Sequence, residues 1–382
     1  MSASTTHKIR LGFIGGGARS MLGMAHKRAA HMSGQFALTG GVFSAEYAES
    51  LRFANAEGLD PDYIYPDVAQ FISGELAKPE SQRIELVSVL TPNALHFDAV
   101  SDLLKAGFHV VCEKPITTTL GEAKALAQLM TGRDQVFAVA HTYTGYPMVR
   151  QLRQMIAADV IGQIQKIDAQ YYQGWINEVL HDEETRQSTW RLQPAVAGAS
   201  CCFGDIGVHA FNLVEFTTGL RVKQVLAETD SFNPYNELDV DGTALFKTEC
   251  GVRGLIRASQ IAAGEENNLS IAVYGRHGAL KWSHENPNQL IYLPSNAPRQ
   301  ILTPGNPYLA DFAAASSTLP PGHPEGLFDA LGNIYFAVAQ KITDGEYDQA
   351  AFPDIEDGVR GMAFIDAVLR SNALMQQWVE LK

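Results

Sequence analysis

Val110-Val111-Cys112-Glu113-Lys114-Pro115 is a short apolar run stopped by a charged pair and a proline. Proline lacks an N–H and cannot continue a central strand, so the chain leaves its sheet at Pro115. The run follows a helix-like stretch, Ala99 to Ala106. Lys114 therefore stands at the carboxyl end of a strand, the edge of an open parallel α/β sheet where ligands bind. Taken alone, Glu-Lys-Pro reads first as a strand ending in a solvated ion pair. The flanking chain changes that reading.

Ile9 to Ile14 reads as a first strand running straight into Gly15-Gly16-Gly17, with a helix-like segment from Met24 to Met32. Phe36 to Phe43 is a second strand and Ala45 to Glu57 a second helix. Glu85 to Leu90 is a third strand ending at Thr91-Pro92-Asn93, and His96 to Ala106 a helix. After the fourth strand come a helix, Leu120 to Met130, and a fifth strand, Val136 to Ala140. Strands alternating with helices at this spacing predict a doubly wound parallel sheet.

The texture changes after Gly145-Tyr146-Pro147. A helix, Met148 to Ala158, leads to strand-like alternation over Gln163–Tyr172. Further strands follow in succession between Val222 and Leu293, with short turns such as Arg276-His277-Gly278. Runs of strands without intervening helices predict an open, largely antiparallel sheet in an α+β domain. Leu327 to Lys341 and Glu356 to Glu380 read as helices by periodicity. The expected division is a nucleotide-binding domain over residues 1–146 and a substrate and oligomerisation domain over 147–382.

The formal charge is −13 over 382 residues. That argues against nucleic acid or an anionic membrane surface as partner, since both attract basic patches. No apolar run approaches the roughly 20 residues that span a bilayer. Met1 to Arg10 lacks an apolar signal core, so the expected home is a reducing cytoplasm. Cys112, Cys201, Cys202 and Cys250 form no C-x-x-C pair and have no histidine at metal spacing. Neither a zinc site nor a disulfide framework is indicated, and no metal is expected.

Gly15-x-Gly17, after a strand and ahead of a helix, suits a dinucleotide pyrophosphate: glycines let backbone approach the phosphates, and a helix N-terminus offers free N–H groups. Ser20 stands where a third glycine is usual, and Gly23 follows three residues later, which reads as an insertion in the phosphate loop. Ser44, at the end of the second strand, brings no charge to the ribose. Glu46 and Glu49 nearby would repel a 2′-phosphate, and Arg19 is the close cation. The balance favours NAD, with NADP possible.

Gly204-Asp205-Ile206-Gly207-Val208-His209 opens another helix-like stretch, and a spacing of four puts Asp205 and His209 on one face. A histidine beside a carboxylate suits proton transfer near neutral pH. Oxidising a secondary alcohol needs a base for the hydroxyl proton, a hydride acceptor and a positive group for the developing alkoxide. His209, the nicotinamide and Lys114 would supply them. Read singly, Asp205 is first a helix cap and His209 an ordinary half-buried side chain.

Glu113-Lys114-Pro115, Thr91-Pro92-Asn93 with His96, and Asp205 with His209 resemble the Gfo/Idh/MocA oxidoreductase family, in the family's order and over nearly the whole chain. The resemblance implies that Lys114, Asp205 and His209 are the catalytic trio. It implies that Thr91, Pro92, Asn93, His96 and Glu113 belong to the cofactor-binding stretches, with Trp190-Arg191 like the family's pair beside the nicotinamide. It also implies a Rossmann domain followed by an open sheet that often forms the oligomer interface, hence a homodimer or homotetramer. The lengthened glycine loop departs from the family pattern.

His141-Thr142-Tyr143 follows the fifth strand at the same sheet edge as Lys114. His141, Tyr143, Trp175 and His323 are the expected substrate contacts beside the catalytic trio, although a single aromatic is more often core. No Lys–Arg cluster marks a phosphate pocket, so an unphosphorylated sugar, glycoside or cyclitol is the expected substrate. The alternatives are a glycosidase using NAD for transient oxidation and a dinucleotide-binding protein without turnover.

Overall fold

The computed structural model describes residues 8–232, 236–345 and 351–382. The first sheet contains β1 (Ile9–Gly15), β2 (Phe36–Val42), β3 (Leu86–Leu90), β4 (His109–Cys112) and β5 (Phe137–Val139), in the order β2-β1-β3-β4-β5. All of its pairs are parallel. β3 is buried at every residue and β4 at its last three, which is why they read as unbroken apolar runs.

Register brings the site residues together. Gly15 of β1 lies opposite Leu90 of β3, and Cys112 of β4 is opposite both Val89 of β3 and Val139 of β5. The glycine loop, Thr91, Glu113-Lys114 and His141 therefore leave the sheet at one edge. The order reverses between β1 and β3, and ligands of such sheets bind at that point.

The second sheet has β6 (Ile164–Tyr172), β7 (Val222–Asp230), β8 (Asp241–Thr248), β9 (Arg253–Ser259), β10 (Asn268–Gly275), β11 (Gly278–Ser283), β12 (Leu290–Pro294), β13 (Gln300–Leu302) and β14 (Val379–Glu380). Its order is β13-β12-β11-β10-β6-β9-β8-β7-β14. It is antiparallel except where β6 runs parallel to β9. The strands alternate buried and solvent-facing residues, as a sheet with one covered face requires. The helices Pro147–Ala157 and Val208–Thr218 pack in the core on the covered face.

Several expectations shift. The helix Val68–Ala77, begun by the Asp67 cap, was not foreseen. The last helix ends at Ala373 rather than Glu380. Met375 and Gln376 take left-handed backbone angles, φ +55° and +57°, and the tail continues as β14 beside β7. Periodicity does not register a two-residue edge strand, because its partner is far away in sequence.

Late segments also return to the first sheet. The helix Leu327–Asp344 packs along Met21–Met32, and Tyr335 and Ile334 join the core beneath β1. Met362 and Ile365 of the helix Ile355–Ala373 pack beside β4 and β5. Among the described residues no helix is long and apolar enough to cross a membrane.

Candidate active site

The carboxyl ends of β1, β2 and β3 open into a cleft of about 1330 Å3. Pockets for drug-sized ligands measure roughly 300–1,000 Å3, so this cleft suits something longer. Its phosphate-loop wall depends on glycines. Gly15 and Gly16 have φ of +82° and +74°, a region that favours glycine. A Cβ on Gly17 would meet Phe43 O at 2.6 Å. Ser20 caps the helix Met21–Met32, its Oγ accepting from Gly23 N at 2.9 Å. A Cβ on Gly23 would lie 2.0 Å from Gly16 O. Gly23 therefore makes the close helix–strand approach that the third glycine of such loops provides.

Gly15, Gly17, Arg19, Ser20, Ser44, Thr91, Pro92, Trp190 and Arg191 all line this cleft. Ser44 Oγ accepts from Glu46 N at 3.2 Å. Glu49 is one of four carboxylates lining the cleft, with Asp67, Asp98 and Asp102, and is ion-paired with Arg52. Thr91 Oγ1 is buried with no hydrogen-bond partner among the described residues. An orphaned hydroxyl on the wall and a loop that admits no side chains fit an extended dinucleotide.

Three expected cofactor residues serve the frame. Asn93 donates through Nδ2 to Ala197 O at 2.9 Å and ties the two domains together. His96 is fully buried, its ring nitrogens 2.8 Å from Pro115 O and Thr91 O, so it braces the ends of β3 and β4. Glu113 is buried against His26, with Nε2 to Oε1 at 2.9 Å. His26 Nδ1 meets Tyr335 Oη at 2.7 Å, and Tyr335 meets Ser88 Oγ at 2.7 Å. Sequence reading missed His26 and Tyr335, because 309 residues separate the two.

Beside the cleft, Lys114 reaches across the domain junction. Its Nζ donates to Asp205 Oδ1 at 2.8 Å and to Asp205 O at 2.5 Å. Arg191 Nε lies 3.1 Å from Asp205 Oδ2, an ion pair off the hydrogen-bonding direction. Gln260 Nε2 donates to the same oxygen at 2.9 Å. Burial opposes ionisation of Asp205, but Lys114 and Arg191 more than offset it and hold the carboxyl well below its usual range.

Asp205 lies on a π-helical turn, Phe203–Gly207, which leads directly into Val208–Thr218. The turn is anchored by buried Asp239, which accepts from Ser200 Oγ, Cys201 N and Phe203 N at 2.9–3.0 Å. π-Turns of this kind concentrate at functional sites.

His209 faces a different environment. Its Nδ1 lies 3.2 Å from Nδ1 of His141. The Tyr143 ring stands edge-on at 5.0 Å between centroids. Tyr143 Oη bonds Tyr171 Oη at 2.5 Å, and Tyr171 donates to Asn267 Oδ1 at 2.5 Å. Burial, then Lys114, then His141 hold His209 well below the usual histidine range. Burial and Lys114 push His141 down to about 3. Both rings are neutral at pH 7. The carboxylate expected to orient His209 is thus turned to the cations, and an imidazole takes its place.

Trp175 is over a third exposed; its indole N–H donates to Gln173 at 3.1 Å and Arg191 lies 5.9 Å from the ring. His323 is exposed and its Nδ1 meets Pro320 O of its own loop at 3.2 Å. No hydrogen bond or ring contact among the described residues joins His323 to the cluster. Gln260, Asn267 and His284 belong to the cluster and carried no sequence signal, since no motif spacing links them to Lys114 or His209.

Residues 9–141 match the oxidoreductase family with an NAD-binding Rossmann fold, and residues 149–281 match the GFO/IDH/MocA C-terminal domain. An uncharacterized oxidoreductase of Bacillus subtilis (strain 168), YfiI, is 30% identical, with 98% of this chain and 97% of that protein aligned. The structure of an inositol dehydrogenase homolog complexed with NAD+ from Azotobacter vinelandii is 33% identical, with a TM-score of 0.90 over 98% of this chain and 97% of that one. The same homolog complexed with NADH and myo-inositol superposes with a TM-score of 0.87 and the same coverage. Levoglucosan dehydrogenase of Pseudarthrobacter phenanthrenivorans is 24% identical over 78% of this chain and 80% of its own.

Proposed function

We propose that this chain, which belongs to the Gfo/Idh/MocA family of NAD-binding oxidoreductases, oxidises a secondary hydroxyl of an unphosphorylated sugar, glycoside or cyclitol. The observation that carries the reading is the ion pair of Lys114, from the nucleotide-binding sheet, with Asp205 of the second domain beside the dinucleotide cleft, with His209 close enough to feel the Lys114 charge. Relatives described as an inositol dehydrogenase homolog and a levoglucosan dehydrogenase support the substrate class.

A bound nicotinamide, held by the glycine loop and the cleft walls, would supply the hydride acceptor. The protein handles the proton and the charge. Neutral His209 accepts the hydroxyl proton on Nε2, since Nδ1 is turned to His141. Lysine has three N–H donors, and Asp205 engages Lys114 through two contacts. The remaining donor faces the alkoxide charge as it develops, where a prepositioned cation acts most strongly. Asp205 fixes the ammonium in place.

Substrate hydroxyls find the Tyr143, Tyr171, Asn267 and His284 groups, a donor–acceptor set suited to a polyol. Lys114 and Arg191, the cations that the described residues bring to the cluster, both face Asp205. That leaves little attraction for a phosphate.

The test is a sugar and cyclitol panel followed as NADH and NADPH absorbance. Stoichiometric NADH with one or a few polyols is expected. Glycoside hydrolysis without net NADH, or no turnover with tight NAD binding, would overturn the reading.

The open face of the second sheet carries Leu245, which is 44% exposed, and the buried atoms Asp168 Oδ1 and Arg257 Nε, which have no hydrogen-bond partner among the described residues. A second copy covering this face would account for them, so a dimer or tetramer is the expected assembly. A monomer by light scattering at micromolar concentration would contradict it.

A further inference from the structure

We infer that His141 is the positioning residue that holds His209 in the Nδ1–H tautomer, the form able to accept a proton on Nε2. The two Nδ1 atoms lie 3.2 Å apart, and the rings stand nearly perpendicular with centroids 5.2 Å apart. Both side chains are buried, at 2% and 9% exposure. A neutral imidazole carries one N–H and one bare nitrogen. Two neutral rings meeting Nδ1 to Nδ1 therefore have two hydrogen-bonded arrangements. In one, His209 donates its Nδ1–H and keeps a bare Nε2. In the other, His141 donates and His209 carries its proton on Nε2, where it cannot accept another.

The inference rests on the reading of His209 as the base, which selects the first arrangement. The balance is then simple. The substrate O–H bond breaks and an N–H bond forms at His209 Nε2, while the Nδ1–H bond to His141 persists and spreads the imidazolium charge over two rings. His141 holds its own proton on Nε2. Backbone geometry supports a fixed role: His141 lies two residues beyond the end of β5 at the sheet edge, and Thr144 Oγ1 donates to its carbonyl at 2.9 Å. This is the orienting task that carboxylates perform for catalytic histidines elsewhere. Here Asp205 is engaged by Lys114, Arg191 and Gln260, and the second histidine performs it without adding a negative charge.

The direct test is ¹⁵N NMR of histidine-labelled protein near pH 7.5 without cofactor, with the His209 signals identified by their loss in His209→Ala. The wild type is expected to show a protonated Nδ1 and a bare Nε2 for His209. His141→Phe, which keeps bulk and removes the acceptor, should release His209 toward the Nε2–H form. Its kcat should fall about 10²-fold, within the roughly 10²–10⁴ that a positioned proton acceptor contributes, with KM changed less than threefold. His141→Asn places Oδ1 where Nδ1 stood and should recover both the tautomer and at least a tenth of kcat. An Nε2–H tautomer in the wild type would overturn the inference. So would a His141→Phe enzyme with normal kcat and raised KM, the signature of a plain substrate contact. If His141→Phe fails to fold, the wild-type tautomer and the His141→Asn result still decide. Normal turnover in His209→Ala would overturn the base reading beneath the inference, whichever tautomer is seen.

Discussion

Asp205 meets an ammonium and a guanidinium within 3.1 Å, while His209, four residues further on, meets a second imidazole and the rings of two tyrosines. The first is a pole of paired charge, with Asp205 ionised far below its usual range. The second is a dry pole where two histidines stay neutral. Lys114 acts on both. Its charge helps to ionise the carboxyl, and after burial it is the next cause that keeps His209 and His141 unprotonated. One cation thus separates the two poles, as acid and base assignments on one scaffold require environments that push pKa values apart.

The contrast breaks first at its ends. His209→Ala removes the proton acceptor, and kcat should fall roughly 10²–10⁴-fold. Lys114→Ala should cost roughly 10²–10³-fold, the loss of one electrostatic stabiliser. It should also let His209 rise toward the ordinary histidine range, so the acid limb of the residual activity moves to higher pH. In the wild type that limb lies well below pH 6.5, and oxidation should show no break there. The double variant should lose less than the product of the single losses if the groups act as a unit. Full multiplicativity, measured with NAD affinity checked by calorimetry, would mean that the poles are independent.

Asp205→Asn sharpens the comparison. The geometry assigns its effect to Lys114 rather than to His209. A hydrogen bond to a charged group is worth about 1.5–3 kcal/mol, so kcat should fall roughly ten- to a hundredfold. The His209 tautomer should not change. A shift in His209 protonation as large as that in Lys114→Ala would restore the carboxylate–histidine pairing that the fold does not show.

The dry pole carries a stability signature. His141 is lowered to about 3 in the folded protein against about 6.5 unfolded. Its contribution is present above pH 6.5 and is lost as pH falls, by about 1.4 kcal/mol per unit. Denaturant unfolding at pH 7.0 and 5.5 should differ by about 1.3 kcal/mol less in His141→Asn than in wild type, since only the part of that interval below about pH 6.5 counts. Asp357, raised by burial to about 6, works the opposite way and is common to both proteins. Equal pH slopes would place His141 in contact with solvent.

At the far end of the cleft, Glu49 sets a weaker electrostatic preference. NAD should bind about tenfold more tightly than NADP, or ~1.4 kcal/mol. Glu49→Gln should narrow that gap. Calorimetry showing NADP as the tighter ligand in wild type would reverse this assignment.

Much of the frame was legible in the chain itself. The apolar runs at β1, β3 and β4, and the glycines after β1, follow from local backbone physics. Buried parallel strands need continuous apolar side chains, and a loop with φ near +80° favours glycine. The placement of Lys114 at the sheet edge also needed no tertiary knowledge, because Pro115 cannot remain in a central strand. Partner choice was decided only by the packed fold. Asp205 and His209 share a helix face in sequence, yet the carboxylate meets Lys114 from 91 residues away and the imidazole meets His141 from 68 residues away. Spacing along one element states which side chains point the same way, but says nothing about what lies opposite. The elements opposite here are the ends of β4 and β5, brought there by sheet register. Cleft burial then set the charges, since desolvation depends on every segment that closes around a group.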